Sequence, residues 1–509
     1  MKRKRTPKPY PDNLRGQVGF FTVSWVHGFA TMVFALFMQF LTDYSGIDAA
    51  IGKVGYAAAF GTVILLVTRI VDAVDDPLQA WIMDRSKEKK FGKYRLFTLY
   101  SAILCAVGII IMFTLPDAIK SNAILLPIWV MFGYLLYEMG FAFNGTGPIL
   151  QKITTDTRIR TKMTSLIRMG VIISVIPSVF FIPIATAVNS GIGNMGKSFS
   201  LTCVMTAAIT GTISVMGTLL IKEPYLGNVS KEDEEETRLT VKDIWEMLKT
   251  NKPLWVHNIA YFIGNMSFGI SSAVLVYFLK WFYCADMKTG VVDEIAYASI
   301  YAIYGVVSLV PNFLTPLVAG FVVKIFGSVD RAARACELIA GLIYGVMFVC
   351  YLLGLLQLSP FVFIGLNLLA SIPMSIAVIP SMLLNTECAD YVEYTTGKNM
   401  TAMTTAVNNV VNKTQAALAA LIPGIFLMMV GYSVNSATGA YAGDLTKLPG
   451  MVNGLTIVMT LVPLVVAVGA WAVYRFAYPI TPEFRKKMTA ELEQRRAKMR
   501  EGENEEGKI

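Results

Sequence analysis

The sequence predicts an all-α membrane protein whose twelve transmembrane helices form two pseudo-symmetric six-helix bundles. Three observations predict it. Of 509 residues, 55% are hydrophobic and only 16% charged, where soluble domains carry about 25% charge; mean hydropathy is +0.56. The 44 basic and 35 acidic residues collect between membrane-length apolar runs. A single long charged segment then divides those runs six and six. A water-soluble enzyme does not fit this pattern.

A bilayer core of about 30 Å needs roughly 20 helical residues. Runs of that kind fall at 17–42, 55–80, 96–115, 122–149, 166–190 and 198–221, then at 254–281, 298–325, 333–356, 359–385, 401–431 and 451–476. The first has no small-residue cleavage site and reads as a retained span rather than a signal peptide. The domain layout is therefore an amino-terminal bundle (1–221), a linker (222–253), a carboxyl-terminal bundle (254–476) and a charged tail (477–509).

The net charge of +9 belongs to orientation, not to nucleic acid. Lys2, Arg3, Lys4, Arg5, Lys8 and Arg15 precede the first span, and 84–95 (DRSKEKKFGKYR) carries six basic against two acidic residues. The opposite connections 43–53, 116–121 and 191–197 hold one basic residue each, so both termini are expected in the cytoplasm of a multi-pass cell-membrane protein. The linker contains KEDEEET at 231–237; Leu239, Ile244, Trp245 and Leu248 then fall at helical spacing, which predicts an interfacial amphipathic helix. The tail from Thr481 is expected to be a short solvated helix that frays, with a docking segment as the alternative. The six cysteines are scattered and suggest neither a metal site nor a disulfide framework.

Ionisable residues inside apolar runs are costly and point to function. In TRIVDAVDDPLQAW (68–81), Asp72 and Asp76 are four apart and share a helix face, with Arg69 one turn before Asp72 and Pro77 a potential kink. Two such carboxylates repel unless Na⁺, Li⁺ or a proton joins them; ordinary acids at a helix end are the plainer alternative. Arg168 in span 5 is a candidate partner for them. His27 in span 1 suits a proton shuttle, a hydrogen bond to a polar substrate, or a structural bond to a neighbouring helix. Glu138 and Asn144 in YEMGFAFNGTGPIL (137–150) are candidates to line a polar cavity, as are Asn258 and Asn265 in span 7. Span 11, AVNNVVNKTQAALAALIPG (406–424), adds Asn409, Asn412 and Lys413, an ammonium that needs a carboxylate, a cation-linked role or a route to the surface.

TRIVDAVDDPLQAWIMD with its basic loop, FLTDYSGI at the end of span 1, and ADYVEYTTGKN through VVNKTQAALAA together resemble the glycoside–pentoside–hexuronide:cation symporter family of the major facilitator superfamily, over about residues 17–476. The resemblance implies a coupling-cation site at Asp72 and Asp76, with Lys413 and Arg168 in the surrounding charge network. It also implies sugar contacts at positions where this chain departs from the family: His27 and Gly140 stand where the family has aspartates, and Asn144 where it has a stacking aromatic. Glu138 lies two residues before Gly140.

The expected function is cation-coupled secondary symport importing a pentoside, hexoside or hexuronide by alternating access. The coupling ion is H⁺ or Na⁺, there is no other cofactor, and a monomer in the lipid bilayer suffices. An uncoupled facilitator or an exporter is the alternative within carriers. Transport changes no covalent bond, and the chain has no G-x-x-x-x-G-K-[ST] motif for an ATPase domain. A membrane-embedded enzyme would want a nucleophilic or metal-binding cluster at the surface, which the sequence does not offer.

Overall fold

A computed structural model describes residues 10–86, 91–154, 156–224, 249–397, 400–436 and 438–506. Its long helices are α1 (Leu14–Ala35), α2 (Tyr56–Arg85), α3 (Lys93–Phe113), α4 (Leu125–Leu150), α5 (Arg158–Ile192), α6 (Met195–Leu220), α7 (Lys252–Tyr283), α8 (Glu294–Phe326), α9 (Val329–Leu352), α10 (Pro360–Thr396), α11 (Thr401–Met429), α12 (Leu448–Phe476) and the tail helix α13 (Pro482–Glu506). Among the described residues eleven helices are long and apolar enough to cross a membrane, and α2, 30 residues long, contributes the apolar stretch Tyr56–Thr68. No strand occurs among them, only the isolated bridges Ala285–Val292 and Val434–Tyr441 in two loops. The amphipathic helix expected after 238 falls at 225–248, outside the described residues.

Several bundle helices present large apolar side chains outward, Ile325 being 73% and Phe361 62% exposed. Such a surface is matched to lipid rather than water. Helix limits follow local chemistry. Asn13 caps α1 by accepting from the Gly16 amide at 2.9 Å, and Asn194 caps α6 by accepting from the Lys197 amide at 3.0 Å. Gly193 and Gly397, both at positive φ, close α5 and α10. Helix α10 outlasts the predicted run 359–385 because its last eleven residues leave the apolar stretch without meeting a stop before Gly397.

Two compact units can be described. The first takes the described residues of Met1–Lys231 together with Leu275–Val306 and Ala420–Asn453. Within it α3 and α4 touch backbone to backbone: a Cβ at Gly108 would lie 2.4 Å from the Tyr137 nitrogen, and one at Gly140 2.5 Å from the Cys105 nitrogen. Small residues at a crossing permit this approach, and dispersion contacts reward it. At the far end of α1 an aromatic cluster forms, in which Phe40 packs on Phe113 and Phe199, and Tyr44 stacks on Phe199 at 4.8 Å.

The second unit takes the described residues of Glu232–Val274, Val307–Ala419 and Gly454–Ile509. The tail departs from expectation here. Instead of standing free, α13 docks through Phe484, Met488 and Leu492, which repeat every four residues; Met488 is 2% and Leu492 3% exposed. Phe484 meets Tyr394 at 5.6 Å. Arg485 grips Glu387 of α10 and, at 3.1 Å, Asp330 of α9. The apolar stripe of the tail is short, but the two acids give it a fixed register.

Candidate substrate and coupling sites

Helix α1 is interrupted between Thr22 and Trp25, and past that break His27 faces α3 and α4. His27 is 5% exposed. Its Nε2 lies 2.7 Å from Ser101 Oγ and 3.2 Å from the Gly140 carbonyl. Ser101 itself donates to that carbonyl, so its oxygen accepts from the imidazole and the network assigns the proton to Nε2. Nδ1 is then a bare acceptor, buried and without a hydrogen-bond partner. The ring sits edge-on to Phe141 at 5.2 Å.

Further along the same helices, Phe34 stacks on Tyr137 at 5.2 Å and tilts against Tyr134 at 5.8 Å. Tyr134 donates to Glu138 at 2.9 Å. Residues 134, 137, 138 and 141 share one face of α4 by their three- and four-residue spacing, and that face meets His27 and Phe34 of α1. At its end Asn144 reaches Ser24 Oγ at 3.5 Å and accepts from the Thr146 amide at 3.3 Å. The structure thus assembles an imidazole acceptor, a carboxylate, an amide and aromatic rings along α1 and α4. Hydroxyl-rich ligands are bound by such groups: polar atoms for the hydroxyls, ring faces for the C–H surface.

In the second unit α7 and α11 pack tightly, with a Cβ at Gly269 only 2.5 Å from Ala419 Cβ. Gln415 donates to the Asn265 carbonyl at 3.0 Å, Tyr261 is hydrogen-bonded to the side chains of Asn412 and Asn265, and Asn412 donates to Asn408 at 3.3 Å. Asn265 and Asn412 therefore meet. Asn258 spends its amide on the Leu254 carbonyl of its own helix and keeps a buried, unpaired Oδ1; Asn409 is exposed.

Helix α2 runs unbroken through Pro77, so Asp72 and Asp76 stand one turn apart on a continuous helix. Their side chains, and that of Arg69, lie outside the described residues. Arg168 is exposed on α5 and Lys413 is half-buried on α11. Two sets of groups escaped the sequence reading. Glu337 of α9 has a buried Oε2 without a hydrogen-bond partner and crowds Gly264 of α7, where a Cβ would be 2.9 Å from its Oε1. Asp43 and Lys280 are fully buried as an ion pair. The signal for Glu337 and Lys280 was a charged residue inside an apolar run.

Polar side chains gathered between many long apolar helices suit a membrane carrier. The model of the family described as MFS/sugar transport protein matches residues 20–482, and the chain belongs to that family, in its glycoside–pentoside–hexuronide:cation symporter branch. It is 25% identical over 467 residues to the uncharacterized symporter YnaJ of Bacillus subtilis, covering 90% of this chain and 89% of that one. It is 24% identical over 490 residues to the isoprimeverose transporter of Lactiplantibacillus pentosus, covering 92% and 88%. Among solved structures, a bacterial homolog of the human lysosomal transporter Spinster, inward-facing and unoccupied, aligns with a TM-score of 0.61 at 15% identity, over 94% of this chain and all of that one. The protein is a secondary-active transporter of a small polar solute, not an enzyme.

Proposed function

We propose that the protein is a cation-coupled symporter that imports a sugar or glycoside, a pentoside, hexoside or hexuronide, by alternating access between two six-helix bundles. The observation that carries the substrate class is the α1–α4 surface, where the free Nδ1 of His27 lies on the same packed face as Phe34, Tyr137 and Glu138. Asn265 and Asn412, joined through Tyr261, are further candidates for polar contacts to the solute; Asn144, Asn258 and Asn409 are secondary candidates. Similarity to an isoprimeverose transporter supports a glycoside cargo.

Asp72 and Asp76 on α2 hold the coupling ion, H⁺ or Na⁺, with Arg69, Arg168 and Lys413 balancing charge around them. Cation binding removes the repulsion between the two acids, and by linkage it raises sugar affinity as much as sugar raises cation affinity. The protein works as a monomer in the cell membrane with both termini cytoplasmic, as the basic connections 84–95 and 152–162 favour. A second reading, an uncoupled facilitator, is favoured by one observation: Gly140 lies against Cys105 with no room for the carboxylate its family carries there.

Uptake of labelled glycosides, pentosides and uronides into vesicles tests both readings. A symporter accumulates sugar above the outside concentration when an inward Na⁺ or H⁺ gradient is imposed. A facilitator stops at equality under either gradient.

A further inference from the structure

Helices α1 and α7, the first of each half, run out in the same unusual way. A short helical piece carries α1 into a π-helical turn at Phe40–Tyr44, and α7 ends in one at Leu279–Tyr283. Single π-turns are rare and concentrate at functional places. Asp43 lies in the first and Lys280 in the second. Both side chains are fully buried, with Lys280 Nζ 2.8 Å from Asp43 Oδ2. Glu294, at the start of α8, places a second carboxylate oxygen 3.3 Å from the same ammonium. The other oxygen of Asp43 accepts from Tyr432 and from Thr42, each at 2.8 Å, and Tyr432 in turn accepts from the Trp281 indole at 2.8 Å. The ammonium also lies 4.9 Å from the Tyr44 ring centre.

The same unit holds further close approaches between these segments. A Cβ at Gly424 of α11 would lie 2.2 Å from Thr62 Oγ1 of α2, and one at Gly46 would lie 3.0 Å from Ser436 Oγ. Gln39 of the short piece after α1 donates to Tyr297 of α8 at 2.9 Å. The seal therefore joins the α1–α2, α7–α8 and α11–α12 connections, all at one face of the first unit.

A buried ion pair is a weak source of net stability, because the attraction roughly cancels the loss of two hydration shells. The same balance suits a device with two states. When the face parts, both charges regain water together. When it shuts, Asp43 must find the ammonium that Lys280 otherwise shares only with Glu294, since the Asp43 carboxylate without it would be stranded. The shut and open forms are thus near in energy, while a half-matched closure is strongly disfavoured. We propose that Asp43 and Lys280 are the latch of the gate at this face, holding the ends of α1 and α7 together when it is shut and separating to admit or release solute. The proposal rests on the alternating-access reading above.

Alkylation of a buried reporter tests it without any sugar. In Gln39→Cys protein reconstituted in liposomes, a membrane-impermeant maleimide is added and modification at position 39 is read by peptide mass spectrometry. Asp43→Asn, and Asp43→Asn combined with Lys280→Gln, should raise the alkylation rate about tenfold by populating the parted state. Lys280→Arg, which keeps the charge, should stay near the reference. Unchanged alkylation in the monodisperse double variant overturns the latch, and so does a Lys280→Arg protein as open as the double variant. Should Asp43→Asn fail to fold, the double variant carries the test, with Glu294→Gln added so that no carboxylate is left without the ammonium. A protein that transports no sugar at all would sink the transport reading and leave this measurement standing.

Discussion

Gly140 of α4 rests directly on Cys105 of α3: a Cβ at the glycine would stand 2.6 Å from the Cβ of the cysteine and 2.7 Å from its Cα. The Gly140 carbonyl meanwhile accepts from Ser101 and lies 3.2 Å from His27 Nε2. One residue sets both the helix spacing and the orientation of the imidazole. Gly140→Ala is expected to cost about 1–3 kcal/mol by overpacking, and Gly140→Asp to misfold. Thermal unfolding in detergent, followed beside sugar counterflow, checks this; a Gly140→Asp protein as stable as the parent would show that the crossing has slack.

In the proposed site His27 meets substrate through Nδ1. His27→Ala removes the acceptor while Ser101 keeps its bond to the Gly140 carbonyl, so the protein should stay folded. Loss of one such hydrogen bond to a sugar hydroxyl predicts a KM higher by about tenfold. An unchanged KM together with a lowered unfolding temperature would make His27 a structural residue only.

For the coupling acids, Asp76→Asn keeps size and removes the charge. Accumulation against a gradient should disappear, while counterflow of labelled sugar at equal concentrations persists. Concentrative uptake retained in this variant would place coupling elsewhere. The buried carboxylate of Glu337, with its unpartnered Oε2, is then the next position to neutralise.

Docking of α13 depends on Arg485 and its two acids. Arg485→Ala leaves Glu387, whose side chain is largely buried, with the Tyr478 hydroxyl as its one remaining side-chain donor among the described residues, at 3.0 Å. A loss on the order of 1–3 kcal/mol follows from removing a charge-assisted bond to a buried group, with proteolysis after residue 480 becoming faster. Equal protease resistance in variant and parent would mean that the apolar contacts of Phe484, Met488 and Leu492 suffice.

Much of the architecture was legible because a bilayer imposes it: each crossing needs an unbroken apolar run, and a helix satisfies its own backbone within that run. The runs at 96–115 and 198–221 lie within two or three residues of α3 and α6. Where helices leave the lipid the rule lapses, and α10 continues to Gly397 with its last turns packed through Glu387, Cys388 and Val392. His27 and Glu138 were found from polarity in an apolar setting, but not which atoms they would face. Asn265 and Asn412 turned out to share Tyr261, a link that spacing within either helix does not reveal. Asp43 was seen only as part of a motif, and Lys280 passed unnoticed.

By itself the sequence determined the class: charge excluded from long apolar segments leaves no arrangement but a helical membrane bundle, and the spacing of Asp72 and Asp76 follows from helix geometry wherever α2 lies. Only tertiary structure decided which polar groups meet. Lys280 and Asp43 are 237 residues apart in the chain, and α3 presses on α4 because glycines on both remove the side chains that would hold them apart. Pairing at such separations depends on how helices pack, and helix packing is set by the shapes of facing surfaces rather than by the order of residues along either one.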